Sequence, residues 1–239
     1  FDIMEKTMGN ITRRVATDVG GTFTALVCFE TDLDSGESRI ITAKSDTTPP
    51  DFENGVLNVL EKGGVDPAEV DFLAHGTTAV INALTERKGA KVGLITTEGF
   101  RDSLEIARGN RPDFFNLHYQ KPEVFVPRFL RAEIPGRMTY MGEERIPLDL
   151  SGLQNILEGF RREGVEAIAI SFLHSYANTI HEEMALAEVK KLWPEVSVVA
   201  SHQITREWRE YERTNTAVLS AYVQPVAARY LQKLDDGLK

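Results

Sequence analysis

The stretch Asp18-Val-Gly-Gly-Thr-Phe-Thr24 carries the most specific pattern in this chain of 239 residues. It lies between apolar stretches at 15–16 and 25–29, which predict two strands. The adjacent glycines, Gly20 and Gly21, allow the positive φ that a tight turn requires. We therefore predict a β-hairpin with this motif at its tip.

Turn and periodicity signals extend the pattern on the C-terminal side. They predict further strands at 38–45, 71–74 and 91–96 and helices at 52–62 and 79–88. Three successive strands followed by strand–helix alternation fit neither a Rossmann unit nor a barrel repeat. The order resembles the ribonuclease-H-like α/β core of actin, hexokinase and Hsp70, with a mixed sheet.

The second half contains a segment that breaks this alternation. Residues 110–147 are rich in proline, carry weak strand signals and resemble an inserted loop or small subdomain. Alternation then resumes and ends in a long helix from about Glu207. We expect an N-terminal extension at 1–12, one domain at 13–204 that contains the insert, and a C-terminal helical extension at 205–239 that begins another domain.

The glycine motif has the groups that a phosphate requires. Backbone N–H groups at glycine approach phosphate oxygens closely, the hydroxyls of Thr22 and Thr24 add donors, and a carboxylate at Asp18 holds the Mg²⁺ that neutralises the charge. The alternative is an ordinary glycine-rich hairpin with a solvated aspartate. The strand pattern around the motif favours the phosphate interpretation.

A second candidate site is His75-Gly76-Thr77-Thr78 at the end of a predicted strand. The helix that follows would present free N–H groups and a dipole that favour an anion or a developing oxyanion. Asn82, one turn beyond Thr78, would face the same side. The competing interpretation makes the threonines helix caps and His75 a hydrogen-bonded structural residue.

Two further segments carry polar groups in positions typical of ligand sites. The loop Arg108–Pro112 contains Asn110 and Arg111, and guanidinium groups there can fork onto a carboxylate or phosphate. His174 follows the strand at 167–173, where open α/β sheets place ligand groups. A solvated basic loop and a helix-capping segment are the alternatives. The remaining histidines have no companion at metal-ligand spacing, so no zinc site is assigned.

Composition excludes several functional classes. A net charge of −9 gives no basic footprint for nucleic acid or anionic lipid. No apolar stretch approaches the about 20 residues of a membrane helix, and the first ten residues lack the apolar core of a signal peptide. The single cysteine, Cys28, lies in an apolar run and is expected to be buried and unreactive. We expect a cytoplasmic protein whose partners are small molecules or proteins.

Five segments together resemble the N-terminal region of the hydantoinase A and 5-oxoprolinase family. That family includes N-methylhydantoinases, caprolactamase-like enzymes and the large subunits of acetone and acetophenone carboxylases. The segments are 18–24 (DVGGTFT), 75–102 (HGTTAVINALTERKGAKVGLITTEGFRD), 109–112 (GNRP), 172–178 (FLHSYAN) and 210–226 (EYERTNTAVLSAYVQPV). The similarity extends over nearly the whole chain after residue 12.

The resemblance implies ATP-dependent phosphorylation of a carbonyl or enol oxygen, followed by hydrolysis of a cyclic amide or carboxylation of a ketone. It implies that Asp18 is catalytic and holds Mg²⁺, that Gly20, Gly21, Thr22 and Thr24 bind phosphate, and that His75 is catalytic. The implied substrate-cleft residues are Gly76, Thr77, Thr78, Asn82, Asn110, Arg111 and His174. The implied partners are the cyclic amide or ketone, the remaining part of the same subunit and a hydantoinase B-like subunit.

Two departures from the family pattern keep alternatives open. Ala25 stands where family members commonly carry Asp, and the family's subunits continue well beyond this length, so the chain by itself is expected to lack a complete ATP site. Our leading hypothesis is the N-terminal part of an ATP-dependent cyclic-amide hydrolase subunit. The alternatives are the corresponding part of a ketone carboxylase and a nucleotide-binding subunit without catalytic activity.

Overall fold

The computed structural model describes residues 11–110, 113 and 115–239. Contacts within the chain divide it into two compact units. The first unit contains the described residues through Lys88 together with Val226–Lys239, and the second contains Gly89–Pro225. The N-terminal extension predicted at 1–12 falls mostly outside the described residues, as does the predicted site residue Arg111. None of the helices in the described ranges is both long and apolar enough to cross a membrane.

The first unit is built on a four-stranded sheet. Its elements before Lys88 are β1 (Ile11–Val19), β2 (Phe23–Asp32), β3 (Ser38–Asp46), α1 (Phe52–Gly63), β4 (Phe72–Thr77) and α2 (Ala79–Thr85). The strand order is β3-β2-β1-β4, in which β1 pairs antiparallel with β2 and parallel with β4. The predicted hairpin and the mixed α/β character are confirmed.

One face of this sheet is packed and the other is open. Alternate side chains of β1 and β2 pack against α1 and against the last turns of the C-terminal helix, in a cluster formed by Val15, Val19, Leu26, Cys28, Val56, Val59, Leu60, Val65, Tyr230 and Leu234. Burial raises the pKa of the Cys28 thiol, as expected of an unreactive cysteine. Phe23, Val27 and Phe29 lie on the opposite face and are exposed.

The second unit has a parallel four-stranded sheet and a two-stranded ribbon. Its elements are β5 (Val92–Thr97), α3 (Ser103–Ile106), β6 (Arg131–Ile134), β7 (Arg137–Met138), β8 (Glu144–Ile146), α4 (Leu153–Arg162), β9 (Ala167–Ser171), α5 (Ile180–Leu192), β10 (Ser197–Ala200), α6 (Ser201–Ile204) and the start of α7 (Glu210–Leu238). The part of α7 from Val226 onward belongs to the first unit. The sheet has the order β10-β9-β5-β6, and β7 pairs with β8.

The structure adds two details to the predicted elements. The strand predicted at 91–96 forms β5, which pairs with β9 and β6 in the second sheet. The segment 110–147, predicted as an inserted loop or small subdomain, contributes β6 to the second sheet and contains the β7–β8 ribbon. The sequence pattern identifies a strand correctly but does not identify its neighbour, since pairing depends on contacts distant in the chain.

A buried carboxylate joins three segments of the second unit. Glu182 on α5 is fully buried and accepts hydrogen bonds from the backbone N–H of Phe172, 2.9 Å away, and from Ser201 Oγ, 2.6 Å away. The backbone N–H of His202 also donates to it at 2.9 Å, and His202 Nδ1 lies 2.7 Å from its other oxygen. Burial alone would raise the pKa of Glu182, but these hydrogen bonds lower it below the ordinary value.

We expect Glu182→Gln to lower the free energy of unfolding of the second unit by about 3 kcal/mol, because it disrupts a fully partnered buried carboxylate. The folded-state pKa is lowered, so this stabilisation is present above the unfolded pKa of about 4.3 and is lost as the pH falls through the folded value. The difference between the two proteins should therefore shrink in acid. Urea unfolding followed by tryptophan fluorescence measures it, since Trp193 and Trp208 both lie in this unit.

The matched control is Glu183→Gln, which changes the adjacent, exposed carboxylate and should shift the unfolding free energy by about 0.5 kcal/mol or less. Equal effects of the two substitutions at neutral pH would contradict the assigned role of Glu182.

Candidate functional site

The tip of the β1–β2 hairpin is closed by three hydrogen bonds. The N–H of Gly20 donates to the carbonyl of Phe23 at 3.0 Å, and the N–H of Thr47 donates to the carbonyl of Thr22 at 2.9 Å. The hydroxyl of Thr47 donates to the carbonyl of Gly20, also at 2.9 Å. The turn is therefore fastened to the residue that follows β3.

The turn does not use the positive φ that Gly20 and Gly21 allow, because neither is among the described glycines with left-handed backbone. The requirement at Gly20 is one of space. A Cβ there would lie 3.2 Å from the carbonyl oxygen of Phe23, which is tighter than an ordinary contact, whereas a Cβ at Gly21 would meet nothing within 4 Å. Gly20 therefore permits the narrow turn, and Gly21 leaves the tip without a side chain that would cover its backbone.

Two backbone donors remain free at this tip. The N–H groups of Gly21 and Thr22 donate to no residue in the described ranges, and both residues are exposed. The hydroxyl of Thr22 also makes no hydrogen bond with a described side chain or backbone group. These three donors form a small surface that matches the oxygens of an anion.

Asp18 lies next to the tip on the open face of the sheet. Its cross-strand neighbours are Ala25 on β2 and Gly76 on β4. A Cβ at Gly76 would lie 3.0 Å from Asp18 Oδ1, so the carboxylate occupies the space that any side chain at 76 would need. Asp18 is therefore an exposed carboxylate framed by two residues with little or no side chain.

Thr24 does not share this position. It faces the packed side of the sheet, is fully buried, and has its hydroxyl 3.2 Å from the hydroxyl of Thr47. A Cβ at Gly55 of α1 would lie only 2.7 Å from that hydroxyl, so the helix covers it closely. The expected contact of Thr24 with phosphate conflicts with this placement, because strand alternation directs its side chain away from the face of Asp18.

His75 also lies on the packed side, on the opposite face from Asp18. Its Nδ1 is 2.8 Å from the hydroxyl of Thr17, and its Nε2 is 2.6 Å from the hydroxyl of Tyr230 on α7. Both ring nitrogens are thus engaged within the first unit. Burial lowers the pKa of His75, while the charge of Asp18 opposes that shift. This geometry supports the structural alternative for His75.

The residues after His75 form the start of α2. The hydroxyl of Thr77 accepts from the N–H of Ala79 at 3.1 Å, and both the N–H and the hydroxyl of Thr78 donate to the carbonyl of Val19, at 3.1 and 3.2 Å. Asn82 lies one turn further along α2, and its N–H donates to the carbonyl of Thr78 at 2.9 Å. The two threonines therefore connect β4 and α2 to the end of β1.

The tip and Asp18 fit the magnesium–nucleotide complex that the family resemblance implies. The free N–H groups of Gly21 and Thr22 suit phosphate oxygens, and Asp18 supplies one exposed carboxylate. No cluster of three or more metal-binding side chains occurs in the described part of the chain. The single exposed carboxylate of Asp18 suits Mg²⁺, which is usually held by one or two carboxylates, water and the substrate's phosphates.

The sequence model of the hydantoinase/oxoprolinase N-terminal region matches residues 14–192. The chain belongs to this family. It is 38% identical to the alpha subunit of caprolactamase from Pseudomonas jessenii, over 93% of this chain and 33% of that protein. It is 36% identical to the gamma subunit of acetophenone carboxylase from Aromatoleum aromaticum, over 87% of this chain and 30% of that protein.

The fold agrees with a solved structure of a family member. The crystal structure of ATP-dependent caprolactamase from Pseudomonas jessenii superposes with a TM-score of 0.78 at 35% identity, over 94% of this chain and 34% of that one. This confirms the fold class. The chain spans about a third of the length of the relatives described above.

The remaining candidates of this hydantoinase/oxoprolinase chain lie in the second unit. Asn110 is exposed, and Arg108 beside it pairs with Glu212 at 2.6 Å. His174 follows β9 and lines a cavity with Arg137 and Arg145. The first unit therefore brings Asp18 together with Gly20, Gly21, Thr22 and Gly76, and the second unit contains Asn110 and His174.

Sequence reasoning missed the partners of the histidines. Tyr230 lies 155 residues from His75, and no local pattern joins them. Arg137 and Arg145 stand 37 and 29 positions before His174 in a proline-rich segment with weak strand signals. One signal was available: strict alternation along β4 places His75 and Gly76 on opposite faces, so only one of them can share the face of Asp18.

We expect His75 to titrate below the ordinary histidine pKa of about 6.5, because burial disfavours its charged form. The Asp18→Asn substitution should lower that pKa further, since it removes the negative charge that raises it. Titration of the imidazole resonances by NMR measures both values. A neutral buried histidine binds fewer protons than its unfolded counterpart, so the stability that it contributes is lost as pH falls below about 6.5.

The control for this measurement is Asp32→Asn, at the far end of the same hairpin, which should leave the His75 titration unchanged. A pKa at or above the ordinary value would show that the ring is solvated or paired with a carboxylate.

Proposed function

We propose that this chain is the N-terminal portion of an ATP-dependent cyclic-amide hydrolase subunit that activates a carbonyl oxygen by phosphorylation. The observation that carries the proposal is the exposed carboxylate of Asp18 beside a glycine tip with two unused N–H donors. The names of two relatives support it, since the words caprolactamase and 5-oxoprolinase each contain the name of a cyclic amide.

The residues of the first unit have separate tasks in this proposal. The N–H groups of Gly21 and Thr22 donate to phosphate oxygens, and the hydroxyl of Thr22 adds a third donor. Asp18 binds Mg²⁺, directly or through its water shell, and Gly76 leaves the space that its carboxylate occupies. ATP with Mg²⁺ supplies the phosphoryl group that makes the carbonyl oxygen a good leaving group.

The proposed partners follow from the extent of the similarity. The chain matches about a third of each relative, so the adenosine pocket and other phosphate contacts are assigned to the remaining part of the same subunit. The relatives carry subunit names, and we propose a hydantoinase B-like subunit as the second partner. The small-molecule substrate is a cyclic amide.

Asp18→Asn in the complete subunit should lower ATP turnover by about 100-fold or more, because the carboxylate that anchors the metal is lost. The thermal midpoint should stay within about 2 °C, since Asp18 is exposed and the turn is closed by other groups. Steady-state ATPase assays and thermal unfolding measure the two effects.

Gly76→Ala provides an independent test, because the added Cβ displaces the Asp18 carboxylate without changing its charge. We expect turnover to fall by about tenfold or more, as a displaced catalytic group costs rate steeply. Gly159→Ala, where the Cβ would enter open space, is the matched control.

Unchanged ATPase in Asp18→Asn would refute the phosphate assignment. Absence of nucleotide binding in the unmutated assembly would favour a subunit without catalytic activity.

The ketone carboxylase alternative is supported by Ala25. This residue lies directly opposite Asp18 in the β1–β2 ladder, so an aspartate there would add a second carboxylate beside the first. A site that must keep water from attacking an activated intermediate benefits from lacking a carboxylate able to deprotonate that water. The similarity to acetophenone carboxylase is consistent with this alternative.

Bicarbonate distinguishes the two reactions. We expect ring opening of a cyclic amide with ATP hydrolysis and no requirement for bicarbonate, because water completes the hydrolase reaction. The assay compares a panel of cyclic amides and ketones with ATP and Mg²⁺, with and without labelled bicarbonate. Incorporation of label into a ketone-derived acid would replace the hydrolase proposal with the carboxylase.

A further inference from the structure

The second unit contains a cavity of about 620 Å³ that the proposed function does not use. Side chains of the β7–β8 ribbon and His174 line it, and none of the described residues that line it is acidic. Arg137 and Arg145 contribute two guanidinium groups, while Met138 and Ile146 contribute apolar surface. We call it the ribbon cavity.

The two arginines have no carboxylate partner among the described residues. Arg137 stacks over the ring of Phe100, 4.9 Å from its centroid, which orients the guanidinium plane while leaving its N–H donors available. The nearest acidic neighbour of Arg145 in the sequence, Glu144, has an oxygen 2.7 Å from His181 Nε2. The two guanidinium groups thus give the cavity positive charge that none of its described lining residues offsets.

His174 combines a strained backbone with an unpartnered ring nitrogen. Its φ of 60° lies in the left-handed region, which costs a non-glycine residue about 1 kcal/mol. Its Nδ1 is buried and has no hydrogen-bond partner in the described part of the chain. Burial lowers the pKa of His174; Glu210 opposes that shift, and Arg213 and Arg137 reinforce it. The ring is therefore neutral at neutral pH.

The tautomer of His174 follows from these contacts. A proton on Nδ1 would be a buried donor without an acceptor, which costs more than an unused acceptor, so the proton resides on Nε2. Because Nδ1 is shielded from solvent, the other edge of the ring is the one available to the cavity. His174 then offers a neutral N–H donor alongside the two guanidinium groups.

We propose that the ribbon cavity binds the carboxylate of a small organic acid. Guanidinium groups fork onto carboxylate oxygens, a neutral N–H occupies a remaining lone pair, and the volume and apolar lining accommodate a carbon skeleton. The inference rests on the second unit alone and stands independently of the reaction proposed for Asp18. Inorganic phosphate also presents negatively charged oxygens to guanidinium groups, and it is the competing ligand for this cavity.

Benzoate, benzamide and inorganic phosphate are the probes, and isothermal titration with the full chain is the measurement. Benzoate should bind, and benzamide, which has the same shape without the charge, should bind at least about tenfold more weakly. Equal binding of the two, or absence of benzoate binding, would overturn the proposal. Tighter binding of phosphate than of benzoate would also overturn it and assign the cavity to phosphate.

Variants locate the site. Arg137→Gln and Arg145→Gln should each weaken benzoate binding by about tenfold, whereas Arg162→Gln, an exposed arginine of α4 that does not line the cavity, should leave it unchanged. His174→Gly suits the left-handed backbone and should keep the fold while weakening benzoate binding. Unchanged binding in both arginine variants would place the carboxylate elsewhere and refute the assignment.

Discussion

The close approach of Asp18 to Gly76 is the constraint on which the candidate site depends. Parallel pairing of β1 with β4 places these residues side by side, and the carboxylate occupies the space of a Cβ at 76. Because Gly76 has no side chain and Ala25 on the other side has a small one, Asp18 remains exposed beside the hairpin tip. The tip then presents backbone N–H donors that no side chain covers. The phosphate proposal requires this combination of a bare turn and an uncovered carboxylate.

Side chains alternate between the two faces of the first sheet, so the packed residues and the residues of the candidate site lie on opposite faces. Residues on one face, such as Val19 and Thr24, pack against α1, and residues on the other face surround Asp18. His75 belongs to the packed face, where its two hydrogen bonds connect β4 to β1 and to the last turns of α7. A histidine that holds three elements in position supports Asp18 from behind the sheet. That role accounts for its lowered pKa through burial rather than through chemistry with a substrate.

In the second unit, the segments that follow neighbouring parallel strands must be joined at one edge of the sheet. Glu182 does so from α5 by accepting hydrogen bonds from residues that follow β9 and β10. The same region continues into His174, whose left-handed backbone begins the turn after β9. The hydrogen bonds of Glu182 therefore hold the chain at Phe172, two residues before His174 of the ribbon cavity. A site requires such support because binding groups must be held in place before the ligand arrives.

The sequence by itself determined most of the elements, the hairpin and the glycine motif at its tip, because these depend on local alternation, turn residues and short spacings. It also determined family membership through several motifs in order. Only the tertiary structure decided that β5 belongs to another sheet, that Tyr230 binds His75, and that Arg137 and Arg145 meet His174. Each of these facts joins residues far apart in the chain. Their pairing is selected by packing and burial over the whole fold, which no local window of sequence contains.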